Sequence, residues 1–387
     1  MTGLDRTIEE RLLGRGTRDV LAPADRSAFA GQRILITGAG GSVGRELARQ
    51  LAACGPARLT LLDHCEYALV QAERALRGDH PDLPLDAVLG DVSRRVDIVT
   101  ACGTARPHVV FHAAACKHVP VAEAAVIQAA RTNVLGTVEV ARACRRVGAR
   151  LVLISTDKAA QPASVMGATK RFAELVALDR AGLTFRPVVV RFGNILGSSG
   201  SVAEIMLRSI EEGRAIPITD PDATRFFMTA SEAVALVLKA DRMGRRRDVY
   251  WLDMGDPLRI GDLAARMLEH ATSLGFARVP LTIIGMRPGE KMREELTTQG
   301  LAMQATAHPR IWRARQRAVS RPVLDAAVRA LRTACATGDA LRALEAVCAA
   351  VDDYTPSGAA VASARVATLS SPGRAAGAAT RLVAVGG

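Results

Sequence analysis

An α/β fold, a doubly wound parallel sheet with a smaller C-terminal lobe, is predicted by three observations. Short apolar runs alternate with segments of helical periodicity over the first 200 residues, the first run opens into a glycine-rich turn, and the second ends in a carboxylate. A chain of 387 residues with 49% apolar content can bury a core large enough for one such body and a second lobe.

Taken in order, Gln32 to Thr37 (QRILIT) reads as a buried strand. Gly38-Ala39-Gly40-Gly41-Ser42-Val43-Gly44 follows, then a helix whose Val43, Leu47 and Leu51 recur every four residues. Glycines permit the tight turn and the close approach of backbone, and the helix N-terminus offers free N–H groups to a pyrophosphate. A glycine triplet alone is a weak signal. Here a second strand (Arg58–Leu62) ends in Asp63, 19 residues after Gly44, where a carboxylate accepts both ribose hydroxyls and repels a 2′-phosphate. NAD is therefore favoured over NADP, and a glycine-rich turn in an unrelated α/β protein is the weaker account. Gly90-Asp91-Val92 closes a third strand, with Asp91 and Val92 placed to hold an adenine. A fourth, His108–His112, opens into Ala113, Ala114 and Ala115, small enough for a cofactor to lie against backbone. His112 and His118 lack the partners of a metal site and read as structural histidines, so no metal is expected. Lys117-His118-Val119-Pro120 is a candidate substrate loop, and a helix is expected around Asn133–Thr137.

The reactive centre is expected between Leu151 and Glu174. An apolar run ends abruptly in Ser155-Thr156-Asp157-Lys158, and after a loop a helix carries Met166 and Lys170, four apart on one face, with Pro162 suited to its first turn. At the carboxyl end of a parallel strand, a hydroxyl, a carboxylate and two ammonium groups would meet. The bland alternative for this segment alone is a helix cap and a solvated helix. A further strand, Pro187–Arg191, leads into a small-polar stretch including Asn194 and Ser201 that suits a diphosphate or a plain loop. Arg225, and Arg287 with Glu290, offer guanidinium groups that a diphosphate would engage, although either arginine alone is more often a surface residue.

The expected division is a lead-in over 1–30 that packs on the main body, a Rossmann-like NAD-binding domain over 31–200, and a substrate-binding lobe mixed with the core over 201–320. A C-terminal helix over 321–354 and a patternless, disordered tail over 355–387 follow. The seven cysteines are scattered without a CxxC pair, which argues for a reducing compartment and against disulfides or zinc. No run approaches the roughly 18 apolar residues of a spanning helix, and the N-terminus lacks a signal-peptide core, so a cytoplasmic location is expected. The formal charge of +12 is spread along the chain, and 3% aromatic content is too little for base stacking; a nucleotide diphosphate accounts for the charge without nucleic acid.

Together these residues resemble the extended short-chain dehydrogenases/reductases, and specifically the nucleotide-sugar 4,6-dehydratases of the CapD-like polysaccharide biosynthesis type. The resemblance covers roughly residues 8 to 318. It is carried by ITGAGGSVGREL (36–47), LLDHCE (61–66), FHAAACKHVP (111–120), NVLGT (133–137), LISTDKA (153–159), VMGATKR (165–171), VRFGNILGSSGSV (190–202), TRFFMT (224–229) and RPGEKMREEL (287–296). Many members carry an N-terminal membrane region, and this chain resembles their catalytic part alone, with the IEERLLGR lead-in at 8–15.

The resemblance implies conversion of UDP-N-acetylglucosamine to a UDP-4-keto-6-deoxy-hexosamine with tightly held NAD, in a homo-oligomer. Hydride leaves C4, the ketone acidifies C5, water is lost across C5 and C6, and hydride returns to C6. It implies that Thr156 bonds the sugar 4-oxygen, Lys170 holds the nicotinamide ribose, Asp157 protonates the departing hydroxyl, and Lys158, partly neutral in a dry site, takes the C5 proton. Asn133 joins the cofactor-binding set, and Lys117, His118, Asn194, Ser201, Arg225, Arg287 and Glu290 the substrate-binding set. One departure is Met166, at the position of the tyrosine in the superfamily's YxxxK pattern, where a thioether cannot act as a base. Others are Cys116, Ala122, Ala125 and Val126, which are expected to flank the sugar pocket. Two alternatives remain open at this stage. An epimerase, or another keto-forming step, would not need Asp157 or Lys158; a non-catalytic NAD-binding regulator is motivated by the missing tyrosine.

Overall fold

The computed structural model describes residues 6–17, 21–179, 185–244, 248–295, 302–315 and 319–370. Among these residues the central sheet has nine strands. Six come first: β1 (Arg33–Thr37), β2 (Arg58–Asp63), β3 (Leu85–Leu89), β4 (Val109–His112), β5 (Arg150–Thr156) and β6 (Val188–Phe192). The later chain adds β7 (Asp248–Leu252), β8 (Gln304–Ala305) and β9 (Ile311–Arg315), giving the order β8-β9-β7-β6-β5-β4-β1-β2-β3. All pairs from β7 to β3 are parallel, and β9 and β8 close that edge antiparallel.

The expected doubly wound sheet is present for a simple reason. Runs such as Ile34-Leu35-Ile36 and Leu151-Val152-Leu153 are buried on both faces, as only a parallel sheet covered by helices on each side requires. Helices Ser42–Ala52 and Ala230–Met243 pack together on one face, whereas Arg95–Ala105, Gly136–Val147 and Val165–Asp179 line the other. Strand order reverses at β1, between β2 and β4, so the crevice above their carboxyl ends is the natural ligand position.

A second lobe collects helices Val202–Glu211 and Ile260–Ser273 around Met206, Leu263 and Met267. Helix Arg6–Leu13 of the lead-in buries Leu12 in that cluster, and Arg15 reaches Glu232 at 2.6 Å. No helix among the described residues is long and apolar enough to cross a membrane.

The C-terminal region departs from expectation. In place of one helix over 321–354 there are two, Arg321–Thr337 and Ala340–Ala350. Gly338, in the left-handed conformation at φ 72°, ends the first, and the Asp339 side chain accepts Arg342 N–H to start the second. Residues 358–369 of the expected tail also form a helix. Ser357 caps it by accepting Ala360 N–H and donates to buried Glu123 at 2.6 Å, while Ala360 and Ala364 pack into the helical layer. The rest of that tail, from 371, lies outside the described residues. The helix after β5 begins at Val165, so Pro162 sits in the preceding loop.

Candidate active site

The glycine turn after β1 is shaped by close approach. Gly38 has φ 69°, and a Cβ there would lie 2.5 Å from the backbone nitrogen of Ala114; a Cβ on Gly44 would overlap the carbonyl oxygen of Gly38. Helix Ser42–Ala52 thus starts tightly on β1 with Gly41 as its cap, leaving the N–H groups of Ser42, Val43 and Gly44 in its first turn. Asp63 ends β2 beside this turn. Its Oδ2 accepts Gly40 N–H at 2.9 Å and its Oδ1 accepts Cys65 N–H at 2.9 Å, so the backbone aims the carboxylate. Asp91 and Val92 follow β3, with Asp91 Oδ1 accepting Ser93 N–H and Val92 buried against Gly136. Ala113–Ala115 leave β4 half-buried.

Asn133 sits in a wide, π-type turn, Arg131–Leu135, and its buried amide clasps Cys116: Oδ1 accepts Cys116 N–H at 2.8 Å while Nδ2 donates to Cys116 O at 3.1 Å and to Thr169 Oγ1 at 3.0 Å. It holds the segment after Ala115 in place. His112 is structural, as expected. Thr137 Oγ1 donates to Asn133 O at 2.7 Å, so it accepts from His112 Nε2, and Nδ1 then accepts from Thr37 Oγ1 at 2.7 Å. Burial, then the charge of Lys170, pushes His112 down to about 3, and it stays neutral.

The carboxyl end of β5 gathers the reactive groups. Asp157 is 1% exposed. Its Oδ1 accepts Thr156 Oγ1–H at 2.8 Å, Lys158 N–H at 2.8 Å and Lys158 Nζ at 3.1 Å, while its Oδ2, facing Gly193, is buried without a hydrogen-bond partner. Such an oxygen is costly unless something else supplies a donor. Lys158 Nζ also donates to Asn194 Oδ1 at 3.0 Å and lies 3.3 Å from Glu294 Oε1. Burial alone would lower the Lys158 pKa, but Asp157 and Glu294 outweigh it and the net shift is upward. The expectation of a partly neutral Lys158 is therefore corrected: two carboxylates hold the ammonium charged. Lys170 behaves the other way. Its Nζ donates to Ile154 O at 2.6 Å, and burial, partly opposed by Glu174, lowers it to about 8.

Beneath this loop is a fully buried ion pair. Arg191 donates from Nε to Glu174 Oε1 at 2.7 Å and from a terminal nitrogen to Oε2 at 2.5 Å and to Ala159 O at 3.2 Å, and it stacks 4.7 Å over Trp251. Ser155 Oγ donates to the same Glu174 at 2.5 Å. Both ends of the Thr156–Lys158 segment are thereby tied down.

The chain residues 34–316 match the sequence profile of the family described as polysaccharide biosynthesis protein. This protein belongs to that family. It is 40% identical over 305 residues to the probable polysaccharide biosynthesis protein EpsC of Bacillus subtilis (strain 168), and 36% identical over 317 residues to the capsular polysaccharide biosynthesis protein CapD of Staphylococcus aureus. These alignments take in 78% and 81% of this chain but 51% and 53% of the relatives, so the chain spans about half their length. Among solved structures, DesIV of Streptomyces venezuelae, a dTDP-glucose 4,6-dehydratase determined with NAD bound, superposes with a TM-score of 0.61 at 24% identity. That likeness covers 69% of this chain and 88% of DesIV, and it shows the shared fold.

Within this member of the family, the remaining expected residues fall into two groups. Asn194 and Arg225 join the reactive cluster, but Arg225 is buried and committed: it donates to Thr224 O at 2.8 Å and Met292 O at 3.3 Å and lies 3.6 Å from Glu294 Oε1. Lys117, His118, Ser201, Arg287 and Glu290 form a rim. The His118 ring lies against Gly200, and loss of hydration there, then the charges of Lys117 and Arg287, lowers its pKa against Glu204. Ser201 caps helix Val202–Glu211 by accepting Glu204 N–H at 3.3 Å, and Glu290 accepts Arg287 through Nε at 2.9 Å and a terminal nitrogen at 2.6 Å. Ser42 Oγ accepts Ser199 N–H at 3.0 Å, joining the glycine turn to the rim.

Met166 is 4% exposed and packs with Val165, Phe172 and Val176 in the helical layer, together with Ala122 and Val126. Both of those positions are buried in this core. The residues sequence reasoning passed over are Glu294, Glu174 and Arg191. All lie within or beside the strings quoted above, but nothing in the strings separates them from their neighbours. Among the described residues no cluster of His, Cys, Asp and Glu could hold a metal ion.

Proposed function

We propose that this protein is an NAD-dependent nucleotide-sugar 4,6-dehydratase that converts UDP-N-acetylglucosamine to a UDP-4-keto-6-deoxy-hexosamine. The observation that carries the reading is the adjacent Asp157–Lys158 couple at the end of β5, joined at 3.1 Å, with the second carboxylate oxygen buried and unpartnered. Simple oxidation or epimerisation at C4 has no use for such a couple; water loss across C5 and C6 needs an acid and a base side by side. The LISTDKA and VMGATKR strings support the same assignment, as does the 4,6-dehydratase named for a protein of this fold.

The crevice suits NAD: Gly38 and Gly44 let the turn close tightly against the backbone of Ala114 and of the turn itself, the first turn of helix Ser42–Ala52 presents donors, and Asp63 is aimed by backbone. When bound, NAD supplies the acceptor for the C4 hydride and returns it to C6. Lys170 holds the nicotinamide ribose and, as a cation, favours proton loss from the sugar hydroxyl beside it. Thr156 donates to the 4-oxygen.

The resting ion pair and the reactive couple differ only in which of the two side chains carries one proton. Transfer from Lys158 Nζ to Asp157 Oδ1 yields an amine and a carboxylic acid. The amine then takes the C5 proton, the acid protonates the C6 hydroxyl, the C5–H and C6–O bonds break, a C5=C6 double bond forms, and water leaves. Lys158 ends as an ammonium and Asp157 as a carboxylate, as they began. The test is a comparison of Asp157→Asn and Lys158→Met with the unaltered protein under single-turnover conditions. Each variant is expected to form the 4-keto sugar, two hydrogens lighter than substrate, without losing water. Retained water loss in both would exclude the couple from the elimination.

A further inference from the structure

Lys158 Nζ donates to Asp157 Oδ1 and Asn194 Oδ1 at 3.1 and 3.0 Å and is ion-paired with Glu294 Oε1 at 3.3 Å. Glu294, with its side chain 6% exposed, is brought there by backbone pairing with the segment that bears Arg225. Thr224 N–H donates to Met292 O at 2.8 Å, and Thr224 and Arg293 form a parallel bridge. Arg225 Nε then lies 3.6 Å from the same Glu294 oxygen that faces Lys158.

Residue usage points the same way. Of 51 Lys and Arg residues only five are lysine, at 117, 158, 170, 239 and 291. A guanidinium keeps its proton at any working pH, whereas an amine can give it up. In a chain that otherwise meets its need for positive charge with arginine, a lysine in contact with two carboxylates is a group whose proton can move.

We propose that Glu294 is a positioning residue of the elimination, which holds the shared proton on Lys158 in the resting site. The proposal rests on the dehydratase reading above and adds a residue to it. Asp157 and Glu294 both lie against the ammonium, Asn194 adds a neutral acceptor, and among the described residues the charge of Arg225 opposes the two carboxylates. A carboxylate at Glu294 favours the ammonium–carboxylate form of the Asp157–Lys158 couple over the amine–acid form that water loss uses. Arg225 is the cation placed to draw Glu294 aside.

The test uses the full-length protein labelled with 13C at lysine Cε. Five signals result, and that of Lys158 is assigned by its loss in Lys158→Arg. In the unaltered protein the Lys158 signal is expected to titrate above the ordinary lysine range. In Glu294→Gln its midpoint should fall by about one to three pH units, the usual effect of removing one opposite charge in contact. In Glu294→Asp, whose shorter side chain withdraws the carboxylate, the fall should be smaller. A loss of packing alone would rehydrate Lys158 and raise the midpoint, the opposite of the fall expected here. Equal midpoints in all three proteins would overturn the proposal, and should Glu294→Gln not fold, an unchanged midpoint in Glu294→Asp would do so alone. Failure of the dehydratase reading shows differently: the unaltered protein would release no dehydrated sugar even though its Lys158 midpoint depended on Glu294.

Discussion

Replacing Arg191 with methionine should be among the most damaging single changes in the chain. The guanidinium is fully buried and neutralises Glu174, itself fully buried, through two hydrogen bonds at 2.7 and 2.5 Å. Without it Glu174 keeps Ser155 Oγ at 2.5 Å and the more distant Arg171 at 3.5 Å, and Ala159 O loses its donor. Leaving a buried charge uncompensated costs about 3–5 kcal/mol. Glu174→Gln combined with Arg191→Met removes both charges, so the pair should cost less than the sum of the single changes by roughly 1–3 kcal/mol. Urea unfolding followed by tryptophan fluorescence is the assay, because Trp251 lies directly against Arg191. A single variant costing less than about 1 kcal/mol, or a double variant that is merely additive, would refute the reasoning.

Other outcomes follow from the same geometry. Lys170, lowered to about 8, is charged below that pH and neutral above it, so kcat/KM should fall as pH rises through about 8; Glu174→Gln removes the charge that supports it and should move the fall to lower pH. A profile level across that range would contradict the assignment. Gly44→Ala drives a methyl group into Gly38 O and should cost about 1–3 kcal/mol and lower the NAD content of the purified protein, whereas Gly41→Ala, whose Cβ would meet only Gly38 O at 3.3 Å, should do much less. Thermal unfolding and cofactor content decide it. Asn133→Ala strands the N–H and C=O of Cys116 and should cost about 1–3 kcal/mol in urea unfolding; a neutral result would show that Asn133 is not a brace.

What could be read from the sequence follows from how each element is stabilised. Strands β1, β2 and β4 to β6 were legible because a doubly covered parallel strand is a run rich in Val, Ile and Leu, whereas β3, at the sheet edge, alternates in burial and was marked by the Gly90-Asp91 that follows it. The C-terminal helices were less so. Gly338-Asp339 is a stop followed by a cap, but helix 358–369 packs through small Ala side chains that give little periodic contrast. Asn133 was legible as a residue type, but only the π-type turn shows that its amide faces Cys116. The charge state of Lys158 was misjudged because burial was visible in the pattern and Glu294 was not. That carboxylate arrives from a distant segment through backbone pairing with Thr224, which no local motif encodes.

The most direct measurement is the mass and NMR spectrum of the product formed from UDP-N-acetylglucosamine in deuterated water. A 4-keto sugar lighter by one water, with deuterium at C5, is the predicted result. A product of unchanged mass, or no product from protein that holds its cofactor, would contradict the account.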